Sequence, residues 1–69
     1  MLATIENRVL VAAIDAATQS LSKACLEEYD MANEYSDDKE RWAMHMTRGK
    51  IFAGMANALR AAAKAIREG

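Results

Sequence analysis

The sequence contains no proline and three glycines, and aromatic residues make up only 6% of the chain. Without proline and with little glycine, nothing forces the backbone out of a helix over long stretches. The shortage of aromatic residues argues against a sheet, whereas the abundant alanine, leucine, methionine, glutamate, lysine and arginine favour helices. The sequence therefore predicts an all-α fold.

Groups that carry chemistry are also scarce. Cys25 is the single cysteine and His45 the single histidine, so we expect neither an internal disulfide nor a metal site. The sequence has no glycine-rich phosphate loop and no metalloprotease motif. We interpret Cys25 as a small buried residue and His45, which falls on an apolar seam, as a packed side chain. We expect no enzymatic activity and no cofactor.

The short length limits the size of the core. A chain of 69 residues forms one small domain, and such domains often need a second subunit for stability. The longest nearly apolar run, Val9–Ile14, is too short to cross a bilayer, and no signal-peptide pattern is present. We expect a cytoplasmic protein without membrane contact.

The helical pattern is interrupted once, at residues 34–40. Ser36 and Asp37 are good N-cap residues, and Glu40 stands three positions after Asp37, close to a capping box. We therefore expect one helix to end and a second to begin here. A single continuous helix through Ser36 is the alternative, because the segment has neither glycine nor proline.

The predicted architecture is an antiparallel helical hairpin that forms a single domain over residues 1–69. The first helix is expected over about 3–35, the turn over 35–38 and the second helix over about 38–67. Apolar positions recur at alternating steps of four and three in both helices. The predicted seam of the first helix is Leu10, Ile14, Ala17, Leu21, Ala24, Glu28, Met31 and Tyr35. The predicted seam of the second is His45, Gly49, Phe52, Ala56, Leu59, Ala63 and Ile66.

The first helix is apolar on nearly every side over Val9–Ala17, and one partner helix covers only one of these sides. Two hairpins related by a two-fold axis would bury the remainder in a homodimeric four-helix bundle. The residues predicted at the dimer interface are Val9, Leu10, Ile14, Ala17, Leu21, Phe52 and Leu59.

Charge is distributed unevenly although the net charge is −1. Residues 1–36 contain six acidic and two basic residues, whereas residues 37–69 contain four acidic and seven basic residues. Acidic and aromatic residues cluster around the turn and form a candidate docking surface for a basic protein. Its predicted members are Glu27, Glu28, Asp30, Glu34, Tyr35, Asp37, Asp38 and Trp42. Glu28 occupies a seam position, where burial of its charge would cost stability, which favours an exposed role.

Three interpretations compete with this docking surface. A charge run is most often a solvated helix end. A basic stripe on the second helix would permit binding of RNA by a helical face. That stripe comprises Arg41, Arg48, Lys50, Arg60 and Lys64. The chain could also be a structural subunit that only assembles into a larger complex.

In length and general character the chain resembles the small anti-quorum-sensing proteins encoded by pseudomonal Mu-like phages. The resemblance covers the whole chain and rests on the expectation of a short, cytoplasmic, self-associating helical hairpin without catalytic residues. It implies a homodimer that binds the DNA-binding domain of a LuxR-type transcription activator and blocks transcription. It also implies binding to the type IV pilus assembly ATPase. The acidic turn fits the first role, because a DNA-reading surface is basic.

Overall fold

A computed structural model describes residues 5–69 as two antiparallel helices. Helix α1 (Ile5–Glu34) and helix α2 (Lys39–Glu68) each contain 30 residues. The hairpin measures 53 × 14 × 10 Å. The predicted all-α hairpin is therefore confirmed, and the alternative of one continuous helix is wrong. The predicted start of the first helix near residue 3 lies outside the described residues.

The turn is closed by backbone hydrogen bonds and by one side-chain cap. The N–H of Asp38 donates to the carbonyl of Tyr35 at 2.9 Å, and Asp38 then adopts an extended conformation as the N-cap of α2. Its Oδ1 accepts from the N–H of Arg41 at 3.2 Å, which satisfies one of the unpaired donors of the first turn. Sequence reasoning favoured Ser36 or Asp37 as the cap. The cap lies later because Ser36 and Asp37 form the turn itself.

The predicted seam of α2 is confirmed at every position. His45, Gly49, Ala56 and Ala63 are buried, and the larger side chains between them are half-buried. Those larger side chains are Phe52, Leu59 and Ile66. Small and large residues therefore alternate along the seam, which lets the two helices pack closely.

The predicted seam of α1 is right at every second position and wrong by one residue at the others. Ile14, Leu21, Glu28 and Tyr35 face α2 as expected, being buried or half-buried. The intervening positions belong to Val11, Thr18, Cys25 and Ala32. They replace the predicted Leu10, Ala17, Ala24 and Met31. Leu10 is 48% and Met31 42% exposed, so these larger side chains are left on the surface.

The Tyr29 ring of α1 packs directly against the backbone of α2 at Gly49. A Cβ atom added at Gly49 would lie 2.5 Å from Cε1 of Tyr29, which is far inside van der Waals contact. At Gly54 an added Cβ would meet nothing within 4 Å. Of these two helical glycines, only Gly49 is required by packing, because the Tyr29 ring occupies the space of its missing side chain.

Helix α1 is also long and apolar enough to cross a membrane by length and composition, with a mean hydropathy of 1.3 over its most apolar window. Signal sequences share these properties, as do the core helices of soluble proteins, which are mostly buried, whereas 11% of this window is buried in the hairpin. In the hairpin, α1 turns Thr18, Cys25 and Glu28 toward α2.

Candidate functional site

A buried polar pair joins the two helices near the turn. Nδ1–H of His45 donates to Oε2 of Glu28 at 2.6 Å, and the two side chains are only 9% and 11% exposed. Nε of Arg48 lies 3.5 Å from Oε1 of the same carboxylate. Burying a carboxylate costs free energy unless charged or polar partners compensate for the lost water. Here both Glu28 oxygens have such a partner.

The contacts continue from this pair to the start of α2. The Tyr35 ring stacks on the His45 ring, with centroids 5.6 Å apart and an interplanar angle of 8°. The Arg41 guanidinium lies over the Tyr35 ring, 5.1 Å from its centroid. Nε of Arg41 is 3.6 Å from Oδ2 of Asp38. We refer to Glu28, Tyr35, Arg41, His45 and Arg48 as the turn network.

The turn network corrects the expected role of Glu28. The sequence favoured an exposed Glu28, but its carboxylate is buried and fully engaged with His45 and Arg48. Asp38 is likewise engaged as the N-cap and with Arg41. Both residues thus hold the hairpin together, and neither offers an unpaired carboxylate to a partner.

The remaining carboxylates around the turn are exposed and make no ion pair or hydrogen bond with the described residues. They are Glu27, Asp30, Glu34, Asp37 and Glu40, which we call the acidic surface. Trp42 lies at the start of α2, and 44% of its surface is exposed. The exposed indole adds an apolar contact point next to the charges.

The two long sides of the hairpin differ in chemistry. On one side, which we call the polar side, Arg67 Nη2 donates to Oδ2 of Asp15 at 2.6 Å. Nη2 of Arg60 donates to the Ser22 hydroxyl at 2.9 Å. All four residues follow directly after seam positions, and these contacts show that such positions of α1 and α2 meet on the same side.

The opposite long side, which we call the apolar side, is formed by residues that directly precede seam positions. On α1 they are Leu10, Ala17, Ala24 and Met31. On α2 they are Met55 and Ala62. Met55 is 48% exposed, and the alanines are exposed or half-buried. Arg48 occupies the next position of this series toward the turn, where it contacts Glu28. From Leu10 to Ala24 on α1 and from Met55 to Ala62 on α2 the side carries no charge, so this part of it is an uncovered apolar strip.

The residues predicted at a dimer interface fall into two groups. Ile14, Leu21, Phe52 and Leu59 lie half-buried in the seam between α1 and α2. Leu10 and Ala17 lie on the apolar side, and Val9 is 64% exposed. The exposed group is fully available to a second chain, whereas the half-buried seam residues pack within the hairpin and offer only part of their surface.

The basic stripe considered for RNA binding is divided in the structure. Arg41 and Arg48 belong to the turn network. Arg60 donates to Asn57 and Ser22 on the polar side. Lys50 and Lys64 are exposed, but they do not form one continuous stripe with the arginines near the turn.

Cys25 and Tyr29 form a smaller contact beneath the polar side. Cys25 is buried, as the sequence predicted. Desolvation by burial raises the pKa of the Tyr29 phenol, and the neighbouring Cys25 adds to this shift through charge and hydrogen bonding. Among residues 5–69, no group of histidine, cysteine, aspartate and glutamate side chains has the arrangement of a metal site.

The chain matches no protein-family profile, no curated protein and no solved structure. Sequence reasoning missed the Glu28–His45 pair although it had placed both residues on the seams. An acid and a histidine at facing seam positions were the signal that could have revealed it.

Proposed function

We propose that this protein is a non-enzymatic, cytoplasmic inhibitor that occludes a basic surface on another protein with its acidic surface. The target that fits best is the DNA-binding domain of a LuxR-type transcription activator, as the resemblance to phage anti-quorum-sensing proteins implies. The observation that carries this proposal is the set of exposed carboxylates around the turn that no described residue neutralises.

The arrangement suits a basic target for a physical reason. Unpaired carboxylates require no internal contact to be broken before they meet arginine or lysine side chains. Rim charges of this kind steer association and determine which partners are rejected. Exposed Trp42 supplies the kind of aromatic anchor that is enriched at interfaces. The rigid turn network beneath would hold both features in place.

The test is a binding titration of the full chain against the DNA-binding domain of a LuxR-type activator. We expect the double variant Glu34→Lys/Asp37→Lys to lose at least about tenfold in affinity, because two attractions become repulsions. The matched control, Glu6→Lys/Glu68→Lys, makes the same change in net charge at the open end of the hairpin. Equal affinities for the two double variants would overturn the proposal.

The test must also separate a protein target from nucleic acid. Binding to RNA or duplex DNA would weaken steeply with salt and upon replacement of Lys50 and Lys64 by alanine. Affinity of the chain for nucleic acid that depends on these lysines would favour the alternative of an RNA-binding hairpin. The resemblance extends the proposal to the type IV pilus assembly ATPase, against which the same two double variants serve as probes.

We further propose that a second copy of the chain covers the apolar side, which gives a homodimeric four-helix bundle. The uncharged part of the apolar side runs from Leu10 to Ala24 on α1, about 20 Å at 1.5 Å per residue. Its alanines allow the close approach of another helix. Leu10, Met31 and Met55 would be buried in such a dimer.

Two neighbouring alanines provide a matched test of this interface. Ala62 lies on the apolar side, whereas Ala61, the residue before it, points away from that side, and both are exposed in the hairpin. We expect Ala62→Glu to place an unpaired charge in the interface and to yield monomers. Ala61→Glu should remain dimeric. Sedimentation equilibrium measures both, and a monomeric wild type or a dimeric Ala62→Glu variant would contradict the proposal.

A further inference from the structure

The turn network raises a question that the acidic surface does not answer. A buried carboxylate paired with a histidine is costly to desolvate, and an apolar pair of similar volume would stabilise a two-helix seam at least as well. Glu28 and His45 nevertheless form the side-chain hydrogen bond between α1 and α2 that lies nearest the turn among the described residues. Their contribution is directional, because a hydrogen bond fixes orientation whereas apolar packing tolerates several arrangements.

We infer that Glu28 and His45 are positioning residues for the acidic surface, acting through Tyr35 and Arg41. Glu28 fixes the His45 ring by the 2.6 Å hydrogen bond to Nδ1. The fixed His45 ring supports the stacked Tyr35 ring. Tyr35 is the first residue of the turn, so the position of its ring restricts the path of the chain into Asp37 and Asp38.

Further contacts link Tyr35 to the first turn of α2. Arg41 lies over the Tyr35 ring and contacts the carboxylate of Asp38. Asp38 in turn caps α2 through the N–H of Arg41. The chain of contacts thus leads from the interior of α1 to the N-cap of α2, and the carboxylates of Asp37 and Glu40 stand on either side of that cap.

Two variants of Glu28 separate orientation from volume. Glu28→Gln keeps a side-chain oxygen that accepts from His45, whereas Glu28→Met fills a similar volume without an acceptor. A residue that merely fills space would tolerate both changes alike. A positioning residue would be rescued by glutamine and not by methionine.

The readout is amide hydrogen exchange at the turn. The N–H of Asp38 bonds to Tyr35 O and the N–H of Trp42 to Asp38 O, each at 2.9 Å, so both amides report whether the turn stays closed. We expect Glu28→Met to speed their exchange about tenfold relative to amides near Leu59, while Glu28→Gln stays within about twofold of wild type. Asp15→Asn, which removes an ion pair at the open end, should leave both amides unchanged.

Equal exchange at Asp38 and Trp42 in the glutamine and methionine variants would overturn this role of Glu28. Faster exchange throughout the chain of Glu28→Met, without an excess at the turn, would overturn it as well. The relevance of these residues to binding rests on the proposed function, but hydrogen exchange is measured without a partner. Absence of binding by the wild type would therefore refute the proposed function and leave the positioning result to be judged separately.

Discussion

In the half of the hairpin near the turn (the turn half) and the half at its open end (the open half), different kinds of contacts hold the two helices together. Near the turn, the helices are joined by the Glu28–His45 pair, stacked rings and the contact of Tyr29 with Gly49. Toward the open end, the seam consists of buried Thr18, alanine and half-buried aliphatic residues, bordered by the exposed Asp15–Arg67 ion pair. The buried hydrogen bond between the helices therefore lies near the turn and the acidic surface, whereas the interhelical hydrogen bonds of Arg60 and Arg67 farther along are exposed.

This difference indicates which half of the hairpin tolerates small displacements of one helix against the other. Apolar contacts and exposed ion pairs tolerate small displacements at modest cost, and the open ends of α1 and α2 have no covalent link. The turn half is constrained by the loop itself and by hydrogen bonds that are sensitive to distance and angle. We expect the same substitution to have a larger effect in the turn half, and a matched pair of buried alanines tests this. All stability measurements should use one fixed protomer concentration, because dimerisation would otherwise alter the result.

The largest difference is expected from overpacking the seam. Ala32 in the turn half and Ala63 in the open half both have 0% exposure, so leucine at either position has no room. We expect Ala32→Leu to lower the free energy of unfolding by about 3 kcal/mol and Ala63→Leu by only about 1 kcal/mol. Urea denaturation measures both. A larger loss for Ala63→Leu would show that the open half is the more rigid one.

The two glycines of α2 offer a comparison in which the sign of the effect differs. Gly49→Ala would bring a Cβ atom to 2.5 Å from the Tyr29 ring, and the clash should outweigh the helix propensity gained. We expect a net loss of about 1 kcal/mol in the free energy of unfolding. Gly54→Ala meets no atom within 4 Å and should gain about 1 kcal/mol. Stabilisation by both variants would mean that Tyr29 moves aside freely.

A smaller effect is expected from the ion pair at the open end. The side chains of Arg67 and Asp15 are 54% and 46% exposed, so water and salt screen their attraction despite the short distance. We expect Asp15→Asn to lower the free energy of unfolding by less than about 1 kcal/mol, with still less effect at high salt. A loss comparable to that of Ala32→Leu would contradict the view that the open half depends on packing.

The same contrast explains how much the sequence could predict. The seam of α2 was predictable because its outward positions include many charged residues, which left one apolar stripe. In α1, Leu10 and Met31 are at least as apolar as Val11 and Ala32, so hydrophobicity could not choose between neighbouring stripes. Which stripe of α1 faces α2 depends on how the residues of the two helices fit together in the folded hairpin. Local patterns do not contain that information.

The candidate site was predictable to a similar degree. The cluster of acids around the turn, Glu40 included, follows from the sequence directly, and five of its members form the exposed acidic surface. The engagement of Glu28 and Asp38 was not predicted. Both contacts depend on the three-dimensional path of the turn. That path brings His45 next to Glu28 and the N–H of Arg41 next to the carboxylate of Asp38.

The smallest effect concerns Tyr29, which lies at the border of the turn half. Because burial raises the pKa of its phenol above the ordinary value of 10.0, the folded state holds this proton more tightly than the unfolded state. The corresponding stability is present below the ordinary pKa and is lost as the pH rises through the pKa of the folded state. The midpoint temperature of thermal unfolding, measured across this alkaline range, should therefore fall more steeply with pH for the wild type than for Tyr29→Phe. Identical slopes would show that the Tyr29 phenol is as well solvated in the hairpin as in the unfolded chain, and that Gly49 makes room for a ring whose hydroxyl remains in water.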